Sequence, residues 1–301
     1  MAKDSELTKS QKILYRIQKG AIKGLAHLPL SCLYGISDLG TFILRRVMKY
    51  REDMIRKNMR NSFPDASEEQ IEIWRNDFYQ RFCDVFVEAA KLAHISDKEM
   101  AKRVTVTGAE QVNESLKEGR SVILLLGHFG NWEWVTYGAR HFLPEAISCE
   151  IYHPLSDKVF DKVMLDLRSR FGTINIPMAN TMRTLLGYHR SGRQFVCGFI
   201  SDQRPFTLEL THWTDFLNQD TPYVNGGEVL GKHIGADFFY VEMMPERRGY
   251  YHMTFERIEA EDDEEENPVT RAFLKKLEAS IRKNPPAWLW SHNRWKRKRG
   301  E

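Results

Sequence analysis

The sequence predicts an α/β fold in which a mixed sheet is flanked by helices. From residue 104 onward, short apolar runs typical of strands alternate with segments of helical periodicity. Two of these runs lead directly into polar stretches, GHFGNWEW and SDQRP, and strands that end at a ligand-binding crevice have this pattern. With 42% hydrophobic residues among 301, the chain can also build a sizeable core.

The first element is a largely apolar stretch of 17 residues, from Leu28 to Leu44, whose only charged residue is Asp38. Lysines and arginines flank it on both sides. A spanning helix needs about 20 apolar residues, and an aspartate near its middle is costly. We therefore predict a membrane-anchoring or interfacial helix within a helical segment 1–61, followed by a catalytic domain 62–301. The alternative is a buried core helix beside a basic loop.

The second helix is predicted by apolar residues at steps of three and four between Ile71 and Ala89, with Ser67 as its cap. Beyond residue 104 we predict strands at 121–126, 146–152, 194–200, 237–243 and 250–257. We predict helices at 109–117, 157–171, 181–189, 227–234, 268–283 and 286–296, and one that begins near Trp132. The sequence shows no repeat or Pro/Gly/Ser linker, so we expect residues 62–301 to form one domain.

The net charge of +3 conceals an uneven distribution. Seven acids lie between Glu259 and Glu266, in what we expect to be a solvated loop between a strand and a helix. Residues 1–61 hold 13 Lys/Arg against 5 Asp/Glu, and the chain ends in RWKRKRGE. Such a basic surface favours an anionic partner, which is nucleic acid, membrane lipid or an acidic carrier protein. The four cysteines lack CxxC spacing and are expected to be reduced thiols in a cytosol-facing protein.

The strand at 121–126 leads into the candidate catalytic residues His128 and Glu133. On an ideal helix a spacing of five residues separates two side chains by about 140°, so only a loop entering a helix would let Glu133 reach the imidazole. In that interpretation Glu133 orients His128 and stabilises its protonated form, and His128 is a general base. The alternative is a buried histidine and a glutamate that favours a helix N-terminus.

Several further residues are candidates for substrate binding. Arg168 and Arg170 end a predicted helix, where they could grip phosphates or simply complement the helix dipole. Asp202 and Arg204 follow the strand at 194–200, in a second crevice loop. Backbone N–H groups around Gly130 and Asn131 could stabilise an oxyanion. No metal site is expected, because His128 and Glu133 alone are too few ligands.

Five motifs in a fixed order resemble those of the lipid A biosynthesis acyltransferases. They are GHFGNWEW, YHP followed by an arginine-bearing helix end, SDQRP, TPYVNGG and PPAWLWSHNRWKRKR. The N-terminal apolar stretch and the basic residues after it also look like that family's anchor, so the resemblance covers roughly residues 25–298. Two positions depart from it, His153 and Asn293, where relatives often carry arginine. Both departures bear on the headgroup of the acceptor.

The resemblance implies a fold like that of the glycerolipid acyltransferases, with residues 62–301 as the acyltransferase domain. It implies transfer of an acyl chain from acyl carrier protein or coenzyme A to a hydroxyl of a lipid A precursor, without another cofactor. The location implied is the cytoplasmic face of the cell inner membrane. The residues implied are the catalytic pair His128 and Glu133, with Asn131, Arg168, Arg170, Asp202 and Arg204 binding substrate.

Three other functions stay open. The acceptor could be another glycolipid, such as a phosphatidylinositol mannoside, or an amino-acid lipid. A thioester hydrolase would use His128 and Glu133 on water, but would not explain the basic and apolar N-terminal segment. A nucleic-acid-binding protein would fit RWKRKR, yet basic residues also cluster at the N-terminal apolar stretch. That combination favours an anionic membrane surface and no nucleic-acid partner.

Overall fold

A computed structural model of the chain describes residues 7–205, 211–259 and 266–300, so most of the acidic run lies outside the described residues. A seven-stranded mixed sheet has the order β1-β9-β8-β2-β5-β3-β4, and β6 and β7 form a separate antiparallel pair. The strands are β1 (Val104–Thr107), β2 (Val122–Leu126), β3 (Ile147–Tyr152), β4 (Ile174–Pro177), β5 (Phe195–Ile200), β6 (Trp213–Phe216), β7 (Gln219–Pro222), β8 (Asp237–Arg247) and β9 (Tyr250–Arg257).

Ten α-helices occur in the described part of the chain, together with short 3-10 and π segments. The helices are α1 (Lys9–His27), α2 (Leu30–Phe42), α3 (Glu52–Ser62), α4 (Glu68–Lys91), α5 (Asp97–Arg103), α6 (Ala109–Lys117), α7 (Lys158–Arg168), α8 (Thr181–Arg190), α9 (Gly226–Ile234) and α10 (Pro268–Lys283). The short segments are the π-helix Ile43–Val47 and the 3-10 helices Trp134–His141, Ser169–Phe171, Met178–Asn180 and Pro285–Ala287. The predicted α/β class, with a mixed sheet flanked by helices, is confirmed.

The sheet separates two layers of core, and its central strand β2 is therefore buried along its whole length. Alternate residues of a strand point to opposite faces, so Ile123 and Leu125 pack in one cluster and Leu124 and Leu126 in another. The first cluster is completed by apolar side chains of α8, α9 and α10. The second is completed by α6, α7 and the 3-10 segment Trp134–His141. A continuous apolar run is therefore what a central strand covered on both faces requires.

The prediction of a C-terminal helix at 286–296 is wrong. A 3-10 turn, Pro285–Ala287, leads instead into an irregular segment that we call the C-terminal strap, residues 285–295. Backbone groups of the strap pair with the loop after β2, where Gly130 N–H donates to the carbonyl of Ala287 at 2.9 Å. Leu289 N–H likewise donates to the carbonyl of His128 at 3.1 Å. The strap therefore uses these backbone groups to bind the loop, and they do not form the hydrogen bonds of a helix.

The N-terminal stretch forms α2, a 13-residue helix that packs on α4 and buries Leu30, Leu33, Ser37 and Thr41. Within the described ranges, no helix combines the length and the apolar character needed to cross a membrane. The anchoring helix predicted for this stretch is therefore not supported. The apolar sequence did not distinguish an anchoring helix from a core helix. The reason is that α2 buries one side against α4 and leaves apolar residues such as Leu39 and Phe42 exposed on the other.

The helix α3 connects the N-terminal residues to the main core. Ile55 and Met59 are fully buried in the cluster that contains α9 and α10. Asn58 Nδ2 donates to the carbonyls of Trp290 at 2.9 Å and His292 at 3.1 Å, and Arg51 Nη1 donates to the carbonyl of Ser291 at 2.7 Å. The helix α3 and the preceding Arg51 thus hold the C-terminal strap in place.

Candidate active site

A large cavity of about 790 Å³ opens at the carboxyl ends of β2, β3 and β5. Its apolar wall comes from the strands and from the 3-10 segment Trp134–His141. That wall contains Leu124, Leu126, Val135, Ala139, Phe142 and Val196. Polar side chains gather at the strand ends, where His128, Glu133, Arg168, Gln203 and Arg204 also line the cavity. The cavity can therefore accept a molecule with an apolar part and a polar, reactive end.

His128 is held by Asp202 through two hydrogen bonds. Its backbone N–H donates to Asp202 Oδ2 at 2.8 Å, and its ring Nδ1 donates to Oδ1 at 2.7 Å. The two residues meet because β2 and β5 are parallel neighbours whose last residues, Leu126 and Ile200, lie side by side. A proton on Nδ1 leaves Nε2 as the ring nitrogen that can accept another proton.

Asp202 is an almost fully buried carboxylate. Its Oδ2 also accepts a hydrogen bond from Trp288 Nε1 at 2.8 Å. Burial opposes ionisation of this carboxyl, but the charge of His128 and the hydrogen bonds from His128 and Trp288 outweigh it and lower the pKa to about 2. The aspartate is therefore charged at neutral pH and holds the imidazole in one tautomer and orientation.

The predicted contact between Glu133 and His128 is absent. Glu133 instead forms a two-pronged ion pair with Arg168, in which Nε donates to Oε2 at 2.8 Å and Nη2 to Oε1 at 2.7 Å. The preceding residue, Trp132, packs its ring edge-on to the His128 ring at 5.3 Å between centroids. The correction has a simple cause: Glu133 is directed towards the end of α7, whereas β5 brings Asp202 directly beside His128.

A third ionisable group lies beside this ion pair. Glu150, on β3, lies 3.8 Å from Arg168 Nε, and burial raises its pKa to about 7 although the charge of Arg168 opposes the rise. The pKa of Arg168 is raised by Glu133 and Glu150 despite burial. Arg168 is thus a permanently charged guanidinium in the cavity wall.

The other predicted binding residues lie in different surroundings. Arg204 lines the cavity. Arg170 faces away from it and donates to the carbonyl of Ile95 at 3.0 Å. The Asn131 side chain is fully buried: its Oδ1 accepts from Trp134 N–H at 3.0 Å and its Nδ2 donates to Glu88 at 2.6 Å. Asn131 therefore shapes the loop after β2.

Sequence reasoning missed the contribution of Trp288 to the site. Phe129 forms a β-bridge with Trp288, which places the strap against the loop that carries His128. Gly130 has φ +62°, and a Cβ there would lie 1.8 Å from the carbonyl oxygen of Met243, so only glycine fits. The tryptophan-rich stretch AWLW was a signal of deep burial, but nothing local to it indicates which loop it contacts.

Sequence reasoning also missed Glu88, on α4. Its carboxylate accepts hydrogen bonds from Tyr34 and Tyr251, each at 2.7 Å, and from Asn131. Burial raises the pKa of Glu88 to about 7, and these three hydrogen bonds oppose the rise. In the region the structure covers, no cluster of three or more His, Cys, Asp or Glu side chains could hold a metal ion.

A histidine–aspartate pair at the mouth of a large apolar cavity is typical of an enzyme that acts on a lipid-like substrate. The family model of the bacterial lipid A biosynthesis acyltransferases matches residues 1–297. The chain therefore belongs to this family and is an acyltransferase.

Individual relatives agree with this assignment at low identity. A lipid A biosynthesis acyltransferase of Haemophilus influenzae is 23% identical over 256 residues, which cover 84% of this chain and 77% of the relative. The lipid A biosynthesis palmitoleoyltransferase of Escherichia coli K12 is 24% identical over 269 residues, which cover 89% and 85%. A lipid A biosynthesis acyltransferase of Shigella flexneri has the same identity and coverage.

Proposed function

We propose that this protein transfers a fatty acyl chain from an acyl thioester, on acyl carrier protein or coenzyme A, to a hydroxyl group of a lipid A precursor. The observation that carries the proposal is the position of His128, at the polar mouth of the apolar cavity and held through Nδ1 by Asp202. An acyl chain fills the apolar part of the cavity, between Leu124, Val135 and Phe142, and its thioester lies at the mouth.

In this mechanism the acceptor hydroxyl is the nucleophile. His128 Nε2 removes its proton while its oxygen attacks the thioester carbonyl carbon, and a tetrahedral intermediate forms. When the intermediate collapses, the carbon–sulfur bond breaks and the thiolate leaves, taking up the proton from the imidazolium. The products are an ester and a free thiol. Asp202 stabilises the imidazolium throughout, since it stays charged at neutral pH.

Glu133 has an indirect role in this proposal. By binding Arg168 with both oxygens it fixes the guanidinium in the cavity wall, where the positive charge stabilises negative charge that develops on the thioester oxygen. Arg204, which also lines the cavity, attracts the phosphates of the acceptor. Glu133 and Arg168 would thus act together.

We propose that the protein works on the cytoplasmic face of the inner membrane and binds the membrane interfacially. Exposed apolar side chains on α2 and the π-helix after it support this, among them Leu39, Phe42 and Val47. Arg45 and Arg46 lie within the same π-helix and would attract anionic lipids. Apolar burial and charge together would provide the affinity.

The proposal is tested with purified protein and an acyl thioester, with and without a lipid A precursor in micelles. Free thiol and acylated lipid are both measured. We expect the acylated lipid to form only with the acceptor, and His128→Ala to lower its turnover by about 10²–10⁴-fold. Thiol release that is equally fast without acceptor would indicate a thioester hydrolase. Turnover of His128→Ala above a tenth of wild type would remove His128 from the mechanism.

A further inference from the structure

A second, smaller cavity of about 230 Å³ borders the loop that carries His128. Its walls come from α4, from the turn between β8 and β9, and from the C-terminal strap. Gly130 contributes to it from the active-site loop, and Ala287 from the strap. Three arginines reach it: Arg81, Arg247 and Arg248. Nothing in the proposed acyl-transfer step uses these residues.

Only one of the three arginines is neutralised. Arg248 donates to Asp84 at 2.7 and 2.9 Å and to Asp38 at 2.6 Å. Neither Arg81 nor Arg247 has an acidic partner among residues 7–205, 211–259 and 266–300, and Arg247 only stacks on the ring of Tyr250 at 3.8 Å. Asp77 is the one other acid in the lining, so the two arginines without ion pairs outnumber the acids left to balance them.

The cavity adjoins the apolar surface of α2. Asp38 of α2 holds Arg248 at its edge, and the neighbouring Leu39 is exposed. On α4, Val85 lines the cavity and the adjacent Phe86 is exposed as well. Unpaired arginines beside exposed apolar side chains are the arrangement that recognises a lipid headgroup, since its phosphate and acyl parts lie at adjacent depths.

We propose that this cavity binds the phosphate ester of a lipid, held by Arg81 and Arg247. A guanidinium can donate two parallel hydrogen bonds to a phosphate, and neither of these arginines needs to break an ion pair to do so. The phosphate comes either from an anionic phospholipid of the bilayer or from the acceptor. The second source rests on the proposed function, whereas the first does not.

The test compares three double variants. Arg81→Gln with Arg247→Gln removes the two charges from the cavity. Arg183→Gln with Arg190→Gln is the matched control, because it removes two exposed charges from α8, outside both cavities. Arg81→Lys with Arg247→Lys keeps the charges but loses the planar fork of donors, and melting temperature confirms that all three are folded.

Two measurements distinguish the sources of the phosphate. The first is co-sedimentation with vesicles of three parts phosphatidylcholine to one part phosphatidylglycerol, against vesicles of phosphatidylcholine alone. The second is the KM for the lipid A precursor in non-ionic micelles that contain no phospholipid. The vesicle measurement does not require acyl transfer, so it stays decisive even if the proposed function fails.

We expect the cavity variant to lose about tenfold more affinity than the control in at least one measurement, with the lysine variant between them. A loss confined to phosphatidylglycerol vesicles identifies a phospholipid headgroup. A rise in KM at unchanged kcat identifies the phosphate of the acceptor. If the cavity variant matches the control in both measurements, the cavity does not bind a phosphate ester.

Discussion

At the scale of single residues, the active site depends on which carboxylate faces His128. Two acids follow strand ends close to it, and the structure places Asp202 on the imidazole and Glu133 on Arg168. The difference matters chemically, because a partner of the imidazole sets its tautomer whereas a partner of Arg168 sets the position of a positive charge. Neutralising Asp202 and neutralising Glu133 should therefore have different effects on turnover and stability.

Asp202→Asn should lower kcat by about 10²–10⁴-fold, because a neutral amide neither stabilises the imidazolium nor fixes the proton on Nδ1. Glu133→Gln leaves Arg168 with only the more distant Glu150, and removing one partner of a buried pair costs about 3–5 kcal/mol of unfolding free energy. Glu133→Gln should therefore lower the melting temperature as well as kcat. Steady-state kinetics and thermal unfolding of the two variants separate these effects.

The double variant Glu133→Gln with Arg168→Met is the control for the second effect. It removes both charges, so it should recover most of the lost stability but not the lost turnover. If instead Asp202→Asn retains near-normal turnover while Glu133→Gln abolishes it without destabilising the fold, the imidazole would pair with Glu133 in the working enzyme.

At the scale of elements, strands and helices with strong periodicity were predictable and non-local contacts were not. The helices at 109–117 and 268–283 and the strand at 250–257 match their predicted bounds, because each is a regular pattern with clear end signals. The edge strand β4 and the pair β6–β7 were missed, since four-residue strands carry little periodicity. The strap was predicted as a helix because its contacts lie on a loop far away in sequence.

Trp288→Phe tests whether the strap supports catalysis. Phenylalanine keeps the ring packing against Trp290 but removes the N–H that donates to Asp202. A hydrogen bond to a charged group contributes about 1.5–3 kcal/mol, so we expect a lower melting temperature together with a lower kcat. Trp290→Phe is the control, because its lost hydrogen bond goes to the carbonyl of Pro285. Equal kcat values for the two variants would make the strap a purely structural element.

Gly198→Val tests whether the apolar cavity holds the acyl chain. Gly198 lines the cavity on β5, and its missing side chain leaves space beside Leu126 and Glu150. The added methyl groups should shorten the space for the chain, and each methylene that cannot be buried costs about 0.8 kcal/mol. We expect kcat/KM to fall more for hexadecanoyl than for dodecanoyl thioesters. Cys197→Val, on the opposite face of β5, should leave that ratio unchanged; a ratio unchanged in Gly198→Val too would place the chain elsewhere.

At the scale of the whole molecule, Glu88 joins parts of the chain that lie far apart in sequence. It accepts hydrogen bonds from Tyr34 of α2, Tyr251 of β9 and Asn131 of the active-site loop. Such a buried group is costly to ionise, and its pKa of about 7 lies well above that of a solvated glutamate. The stability of the assembled fold should therefore depend on its protonation.

Glu88→Gln tests this dependence. Between pH 4.5 and 7 the folded state of the wild type holds more protons at this site than the unfolded state, so its stability falls as the pH rises. Glutamine does not titrate. From pH 4.5 to 8 the unfolding free energy of the wild type should therefore fall, relative to that of the variant, by up to about 3 kcal/mol. Urea unfolding at several pH values measures it, and a difference that is constant with pH would contradict the argument.

The strap also has a consequence for the order in which the enzyme becomes active. His128 leaves the ribosome about 160 residues before Trp288, an interval of about 10–30 s at typical rates of synthesis. During that interval Asp202 lacks its tryptophan donor, and Phe129 and Gly130 lack the backbone that covers them. A nascent chain can thus form much of its sheet before its active-site loop makes hydrogen bonds with the strap. The His128–Asp202 pair therefore gains its tryptophan donor only after both of its partners have been synthesised.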